Sequence, residues 1–79
     1  MNLTGFSVIH ESNLKPGETY YYKNRFGEGF VVALEVSLDG WKVELQKGAQ
    51  FSTPSLKRLK AGSEMLVPNG MGTWYEPQA

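Results

Sequence analysis

The most constraining feature of the sequence is a run of alternating apolar residues that leads into an Asp-Gly pair. Apolar side chains occupy every second position between residues 30 and 38: Phe30, Val32, Leu34, Val36 and Leu38. This period of two is typical of a strand with one buried face. Asp39-Gly40 follows, and this dipeptide suits a two-residue hairpin loop in which both residues have positive φ. The stretch therefore predicts a β-hairpin whose second strand ends at Lys47-Gly48.

The predicted hairpin has a defined register. A loop formed by Asp39 and Gly40 sets apolar residues of the two strands opposite each other, in the pairs Leu38 with Trp41, Val36 with Val43 and Leu34 with Leu45. All six side chains then lie on one face of the sheet. The same register sets Glu35 opposite Glu44 on the outer face. Facing carboxylates can raise a pKa for acid-base chemistry, so an enzymatic pair is one interpretation, and a solvent-exposed pair without a catalytic role is the other.

The strongest helix signal follows the hairpin. Thr53 suits an N-cap, Pro54 suits the first helical position, and Gly62 suits a left-handed C-terminal cap. This pattern predicts a helix of about two turns over residues 53–61. Its apolar side holds two leucines, Leu56 and Leu59. Because so short a helix is not stable alone, we expect the sheet to cover these leucines.

The remaining segments complete a small α+β domain. The predicted order is β-β-β-α-β-β, a single twisted antiparallel sheet of about five strands whose apolar face is covered by the short helix. Asn69-Gly70, between two short strand candidates, predicts a second hairpin. Residues 14–75 are expected to form the domain. Residues 1–13 are expected to be an N-terminal extension or edge strand, and residues 76–79 a tail.

Charge balance and cysteine content narrow the function classes. The 79 residues have a formal net charge of zero, so the positive balance of many nucleic-acid-binding domains is absent. Positive charge is concentrated in residues 42–60, which hold five Lys or Arg and one Glu. With no cysteine and a single histidine, His10, we expect neither a metal site nor a cofactor. We expect a cytoplasmic protein without a membrane span, because the sequence shows no signal peptide and no long apolar run.

A binding site is predicted where the helix would begin. Hydroxyls, free backbone N–H groups and the positive end of the helix dipole would together suit an anion there. The hydroxyls belong to Ser52, Thr53 and Ser55, and nearby cations to Lys57, Arg58 and Lys60. Asn69 and Trp74 are placed to approach a base. The alternative interpretation is that the hydroxyls only cap the helix and that Trp74 fills the core.

The spacing of these residues also resembles a known family. The resembling positions are Gly48, Phe51, the Ser52-Thr53-Pro54-Ser55 segment, a short helix ending at Gly62, Asn69-Gly70 and Trp74. Together they resemble the signature of the RAMA domain (restriction enzyme adenine methylase associated) and of DUF4357-like domains, over residues 14–75. The resemblance implies recognition of DNA, especially base-modified DNA, in restriction, modification and anti-phage settings.

Two hypotheses follow for a protein that we do not expect to be an enzyme. The first is a DNA-binding module whose contacts come from the predicted site: Ser52, Thr53, Ser55, Lys57, Arg58, Lys60, Asn69 and Trp74. The second is a small phage-type or mobile-element protein that binds and modulates a host defence protein through its sheet edge or aromatic face, since interfaces favour aromatic residues and Met over excess charge. The oligomeric state is open, with a homodimer as one option.

Overall fold

The regular elements of the protein are strands. The computed structural model describes residues 5–77. Its seven strands are β1 (Phe6–Ile9), β2 (Thr19–Asn24), β3 (Gly27–Ser37), β4 (Gly40–Leu45), β5 (Gln50–Phe51), β6 (Glu64–Pro68) and β7 (Thr73–Pro77). A single 3-10 turn, Glu11–Asn13, is the one helical segment in the described range. Residues 5–77 are therefore mostly antiparallel sheet, and the prediction of an α+β domain with a helix is wrong.

The strands form one sheet in the order β1-β7-β2-β3-β4-β6, and every pair is antiparallel. The long strand β3 is shared most widely. It pairs with β2 on one side, and on the other side with β4 and with the short strand β5. The edges of the sheet are β1, within the segment predicted as an extension or edge strand, and β6. Glu76 and Pro77, predicted to lie in a tail, pair with β1, and residues 78–79 lie outside the described range.

The sheet is strongly curled. β6 and β7 are joined by residues 69–72, yet β4, β3 and β2 lie between them in the sheet. In a flat sheet the two strands would lie about 19 Å apart at ~4.8 Å per strand, about as far as the connecting residues reach when fully extended. Glu11, which follows β1, accepts hydrogen bonds from the Trp41 indole of β4 and from the Gly70 backbone. These bonds connect residues near the two ends of the sheet. The predicted hairpin between the last two strands does not form, because β6 pairs with β4 whereas β7 pairs with β1 and β2.

One cluster of buried side chains fills the inside of the curl. It contains Leu14, Tyr20, Tyr22, Val31, Ala33, Trp41, Val43, Leu45, Phe51, Val67 and Trp74. The Trp74 ring centroid lies 4.5 Å from that of Tyr22 and 6.1 Å from that of Tyr20, where it meets the ring edge-on. Aromatic contacts at these separations add about 0.5–1.5 kcal/mol each beyond the area they bury.

The hairpin of β3 and β4 is present, but its register differs from the prediction. The loop residues are Leu38 and Asp39, because Ser37 pairs with Gly40. A bulge between Ala33 and Glu35 then shifts the alternation, so that Val31 and Ala33 face the core, whereas Leu38 is exposed. Gly40 is needed inside the sheet, since it has a φ of 147° and a Cβ there would overlap the carbonyl oxygen of Val67 on β6. The buried face of the second strand is as predicted, with Trp41, Val43 and Leu45 in the core, but the strand begins at Gly40 and ends at Leu45, before the predicted end at Lys47-Gly48.

The predicted helix over residues 53–61 is replaced by a tight hairpin, the 52–58 hairpin. Ser52 and Arg58 form an antiparallel bridge. The Thr53 N–H donates to the Lys57 carbonyl at 2.8 Å, and the Leu56 N–H donates to the Thr53 carbonyl at 2.8 Å. Pro54 suits the second position of such a turn as well as it suits the first position of a helix. No element covers Leu56, which is 86% exposed, so burial does not favour the helix.

The 52–58 hairpin generates a stability prediction. Leu56 has a φ of 67°, the only positive φ of a non-glycine residue in residues 5–77. The left-handed conformation costs a side-chain-bearing residue about 1–2 kcal/mol, and glycine loses part of that gain through its freer unfolded state. Leu56→Gly is therefore expected to raise the free energy of unfolding by about 0.5–1 kcal/mol, measured by chemical denaturation. Ser55→Gly is the matched control and should lower it. An equal loss in both variants would contradict the hairpin.

Candidate functional site

A groove lined mainly by apolar residues lies beside the 52–58 hairpin. Its volume is about 330 Å³. The apolar lining residues are Phe26, Phe51, Pro54, Leu59, Met65, Leu66, Pro68 and Met71. They come from the β2–β3 turn, from β5 and the hairpin that follows it, from β6, and from the β6–β7 connection. The groove therefore depends on the curl of the sheet, which brings these four segments to one place.

Backbone hydrogen bonds hold the wall formed by the 52–58 hairpin. The Ser52 N–H donates to the Phe26 carbonyl at 2.9 Å, and the Leu59 N–H donates to the Phe51 carbonyl at 2.9 Å. Thr53 adds a side-chain contact, because its Oγ1 accepts the Lys57 N–H at 3.1 Å. The wall is thus fixed at both of its ends and across its turn.

Four exposed cations lie in or next to segments that form the groove. Arg25, Lys57, Arg58 and Lys60 are exposed, and the Arg25 guanidinium lies 5.0 Å from the centre of the Phe26 ring. Within residues 5–77 the salt bridges involve Lys42 and its glutamate partners, so these four cations have no carboxylate within ion-pair distance in that range. Arg25 lines the groove itself, and the other three cations are on or next to the 52–58 hairpin; together these four residues are called the cationic rim.

Six of the eight residues predicted for the site lie together in residues 52–60, but the anion pocket predicted at a helix start does not form. Ser52 and Thr53 line the groove, and the Ser55 hydroxyl lies 2.9 Å from that of Thr53. Lys57, Arg58 and Lys60 follow in the same segment. The N–H groups of Thr53, Leu56 and Lys57 are all used in bonds within the turn. Since no helix starts here, the predicted helix dipole is absent from this segment.

The other two predicted residues serve the fold. Trp74 is 3% exposed and packs against Tyr20 and Tyr22, which leaves no free ring face for a base. The Asn69 side-chain amide donates to the carbonyl of Leu38 at 3.0 Å, so it joins the β6–β7 connection to the β3–β4 loop. Neither residue adds a ligand contact to the groove.

The predicted carboxylate pair Glu35 and Glu44 does not form. Glu35 lies opposite Lys42, and Glu44 lies opposite Val32 on one side and Glu64 on the other. The position of the loop causes this change, because a loop of Leu38 and Asp39 sets Ser37 opposite Gly40 and therefore Glu35 opposite Lys42. Lys42 Nζ lies 3.2 Å from a Glu64 oxygen and 3.8 Å from a Glu35 oxygen. The bond to Glu64 and the charges of both carboxylates raise the pKa of Lys42, which lies between them as a counter-ion.

A second cluster of aromatic residues lies on the outer face of the sheet. Its members are Phe6, Tyr21, Phe30 and Tyr75. Tyr21 is 2% exposed, and its hydroxyl donates to the Glu28 carboxylate. Burial raises the pKa of Tyr21 to about 12, with smaller contributions from the bond to Glu28 and from that carboxylate's charge. The same bond lowers the pKa of Glu28. The three consecutive tyrosines of β2 are thus all buried. Tyr20 and Tyr22 lie inside the curl, and Tyr21 lies in this outer cluster.

The groove itself escaped the sequence analysis. Its apolar lining comes from short segments between residues 24 and 71 that have no common period. The residues in the sequence that could have indicated the groove are Met65 and Met71, since methionine is frequent at adaptable binding surfaces. The basic segment was visible as well, and it forms part of the rim.

Comparison of the chain with protein-family models, with curated proteins and with solved structures found no match. In the described part of the chain, no helix is long and apolar enough to cross a membrane. Within the same part, no three His, Cys, Asp or Glu side chains lie close enough to hold a metal ion.

The buried tyrosine predicts a pH dependence. In the unfolded chain Tyr21 loses its proton near its ordinary pKa of 10.0, while in the folded protein it keeps it to about 12. Between these values the unfolded chain binds fewer protons, so stability is complete below pH 10 and falls as the pH rises to 12. The complete loss from this residue is about 3 kcal/mol, for a shift of about two pKa units at ~1.4 kcal/mol per unit.

Tyr21→Phe should remove this part of the alkaline loss, as measured by denaturant titration at pH 9, 10, 11 and 12. Glu28→Gln serves as the control and should remove less of it, because burial of the ring is the larger cause. Parallel curves for Tyr21→Phe and the unaltered protein would show that Tyr21 does not titrate in this way.

Proposed function

We propose that the protein is a non-enzymatic protein-binding module and that its ligand site is the groove beside the 52–58 hairpin. The observation that carries the proposal is the open apolar groove of about 330 Å³ at the edge of the sheet. That volume is at the lower end of the range for ligand pockets, and it is large enough for one or two apolar side chains of a partner.

The composition of the groove supports a protein partner. Its lining includes Met65 and Met71, which adapt to irregular partners because the side chain is flexible and polarizable. Arg25 at the rim is of a residue type that is enriched in protein interfaces, as is methionine. The zero net charge of the chain removes the long-range attraction on which non-specific nucleic-acid binding depends.

We place this role in the cytoplasm of a bacterial host, with a host defence protein as the proposed partner. The phage or mobile-element setting remains a hypothesis that follows from the sequence resemblance. The groove is the surface that we propose for such an interaction, and the following experiment identifies the partner.

Photo-crosslinking tests the proposal. A photo-reactive phenylalanine derivative at position 54 or 71, inside the groove, is expected to link one host protein in living cells. The matched control carries it at position 8, because Val8 is 67% exposed on β1 at the other edge of the sheet. With the purified partner, Met71→Glu should weaken binding at least ~10-fold, as expected for a residue at the centre of an interface. Val8→Glu should change it less than ~2-fold.

Equal crosslinking from positions 8 and 71, or binding that survives Met71→Glu in a correctly folded variant, would refute the groove as the protein-binding site. Leu66→Glu provides a second change on the groove wall, because Leu66 is exposed and its replacement does not disturb the core. Circular dichroism of each variant identifies those that fold.

DNA binding is the second candidate function, favoured by one observation. Arg25, Lys57, Arg58 and Lys60 are exposed and have no carboxylate partner within residues 5–77. Four cations contact about four phosphates at most, which predicts weak binding with a salt slope no steeper than about −4. Under this alternative the module reads base-modified DNA in a restriction or anti-phage setting, as the family resemblance implies.

Charge reversal separates the two functions. If DNA is the ligand, Lys57→Glu combined with Arg58→Glu should lower affinity for a duplex at least ~10-fold at low salt, because two phosphate contacts are lost. Lys15→Glu combined with Lys23→Glu is the control with the same change of net charge elsewhere on the surface. Fluorescence titration uses matched plain and base-modified duplexes. An equal effect of both double variants, or no binding to either duplex, would exclude this candidate.

A further inference from the structure

The outer edge of β6 has free hydrogen-bonding groups. Paired residues in the β4–β6 ladder include Trp41 with Val67 and Val43 with Met65, and the flanking bonds run from Leu45 N–H to the Ser63 carbonyl and from Asn69 N–H to the Asp39 carbonyl. In an antiparallel ladder the bonded positions alternate with positions that point away. Odd-numbered residues from 63 to 69 therefore face β4.

The even-numbered residues present their backbone groups to the other side. Glu64 and Leu66 each direct one N–H and one carbonyl outward, and none of these four groups has a hydrogen-bond partner within residues 5–77. Pro68 has no N–H, and its carbonyl accepts the Met71 N–H at 3.2 Å. The free edge thus offers two N–H donors, those of Glu64 and Leu66, and it ends at Pro68.

The groove runs along this edge. Met65 and Leu66 are consecutive strand residues, so their side chains point to opposite faces of the sheet. Both nevertheless line the groove. A cavity that reaches side chains on both faces of a strand lies along its edge, not on one face. A chain that pairs with β6 would therefore place alternate side chains into the groove.

The charge along the edge identifies the chemistry of that chain. Arg25 lines the groove, and Lys57 and Arg58 lie on the hairpin that forms its wall. The carboxylate on β6 itself, Glu64, shares Lys42 with Glu35 and is not among the residues that line the groove, since it lies at the opposite end of the strand from Pro68. Positive charge is thus unbalanced beside the groove, and an acidic segment would complement it.

We propose that β6 receives an extended, acidic segment of a partner protein as an additional strand, with an apolar side chain in the groove. This inference rests on the proposed protein-binding function and specifies its ligand. Main-chain bonds to Glu64 and Leu66 supply affinity, while the groove and the cations select alternate apolar and acidic side chains. Edges are commonly blocked by proline, lysine or a bulge. In β6 the proline is at the end of the strand and leaves the two donors open.

A synthetic peptide tests the inference with the intact protein. The probe is a ten-residue peptide of alternating Val and Glu, and its matched control alternates Val and Lys. The Glu peptide is expected to bind at least 10-fold more tightly by NMR titration. In the complex, hydrogen exchange at the amides of Glu64 and Leu66 should slow at least 10-fold.

Two substitutions at one position separate backbone pairing from side-chain contact. Leu66→Pro removes the outward N–H without removing a bond to β4, and proline is tolerated on edge strands. It should weaken binding at least 10-fold. Leu66→Ala keeps the N–H and should weaken it no more than threefold. If Leu66→Pro fails to fold, the exchange rates of Glu64 and Leu66 in the unaltered protein decide the question.

The remaining outcomes each overturn the inference. Failure of both peptides to bind, or protection confined to residues of β1, rejects strand addition at β6. Exchange at Glu64 and Leu66 could instead slow as the protein concentration rises, without any peptide, while sedimentation shows a dimer. In that case the occupant of the edge is a second copy of the chain. Crosslinking from positions 54 and 71 separates failure of strand addition from failure of the proposed protein-binding function. A partner that enters the groove without pairing to β6 would still be crosslinked from these positions.

Discussion

The structure depends on the backbone pairing of β3. This strand spans Gly27–Ser37 and bonds to β2 along one side and to β5 and β4 along the other. Glycines at positions 27 and 29 and the bulge at Leu34 let it bend without losing its ladders. Because β3 bends, the sheet curls, and its two ends approach closely enough to enclose a core.

Enclosure by a curl solves the main difficulty of a chain of 79 residues. A domain of this size buries only about 60% of the surface of its unfolded chain, and a flat sheet with nothing above it would bury less. Here the sheet covers itself, and no helix is required. Large aromatic residues such as Tyr22, Trp41 and Trp74 suit this arrangement, since each fills much of a narrow interior. The same demand explains why Trp74 is part of the core and is not available to a ligand.

The candidate site exists because the curled sheet does not close completely. The curl brings β6 close to the β2–β3 turn and the 52–58 hairpin but does not pair it with either, so the groove remains where a further strand would lie. Free backbone donors, an apolar floor and a cationic rim therefore occur together at one edge. The protein-binding proposal and the inference of strand addition both use this gap, whereas the DNA-binding alternative uses only the rim.

Local pattern and turn chemistry were enough to predict several parts of the fold. The alternation after residue 40 placed Trp41, Val43 and Leu45 in the core, because side chains of a half-buried strand must alternate. The hairpin between β3 and β4 was also recognisable, although its register was not. Gly40 was assigned to the loop, while the structure needs it inside the sheet, where β6 passes too close for a side chain. No local signal reports the approach of a strand that lies more than twenty residues away.

The sequence by itself determined the strand-rich middle of the chain, the aromatic character of its core and the concentration of positive charge in residues 42–60. Only the tertiary structure decided that the Thr-Pro-Ser segment is a hairpin, that Glu35 faces Lys42, and that the groove exists. For the Thr-Pro-Ser segment, the reason is that a short segment that suits both a helix and a turn adopts the form that its neighbours can bond and cover. The register at Glu35 and the groove depend on how whole strands pair, and the strands that meet at the groove are far apart in the sequence.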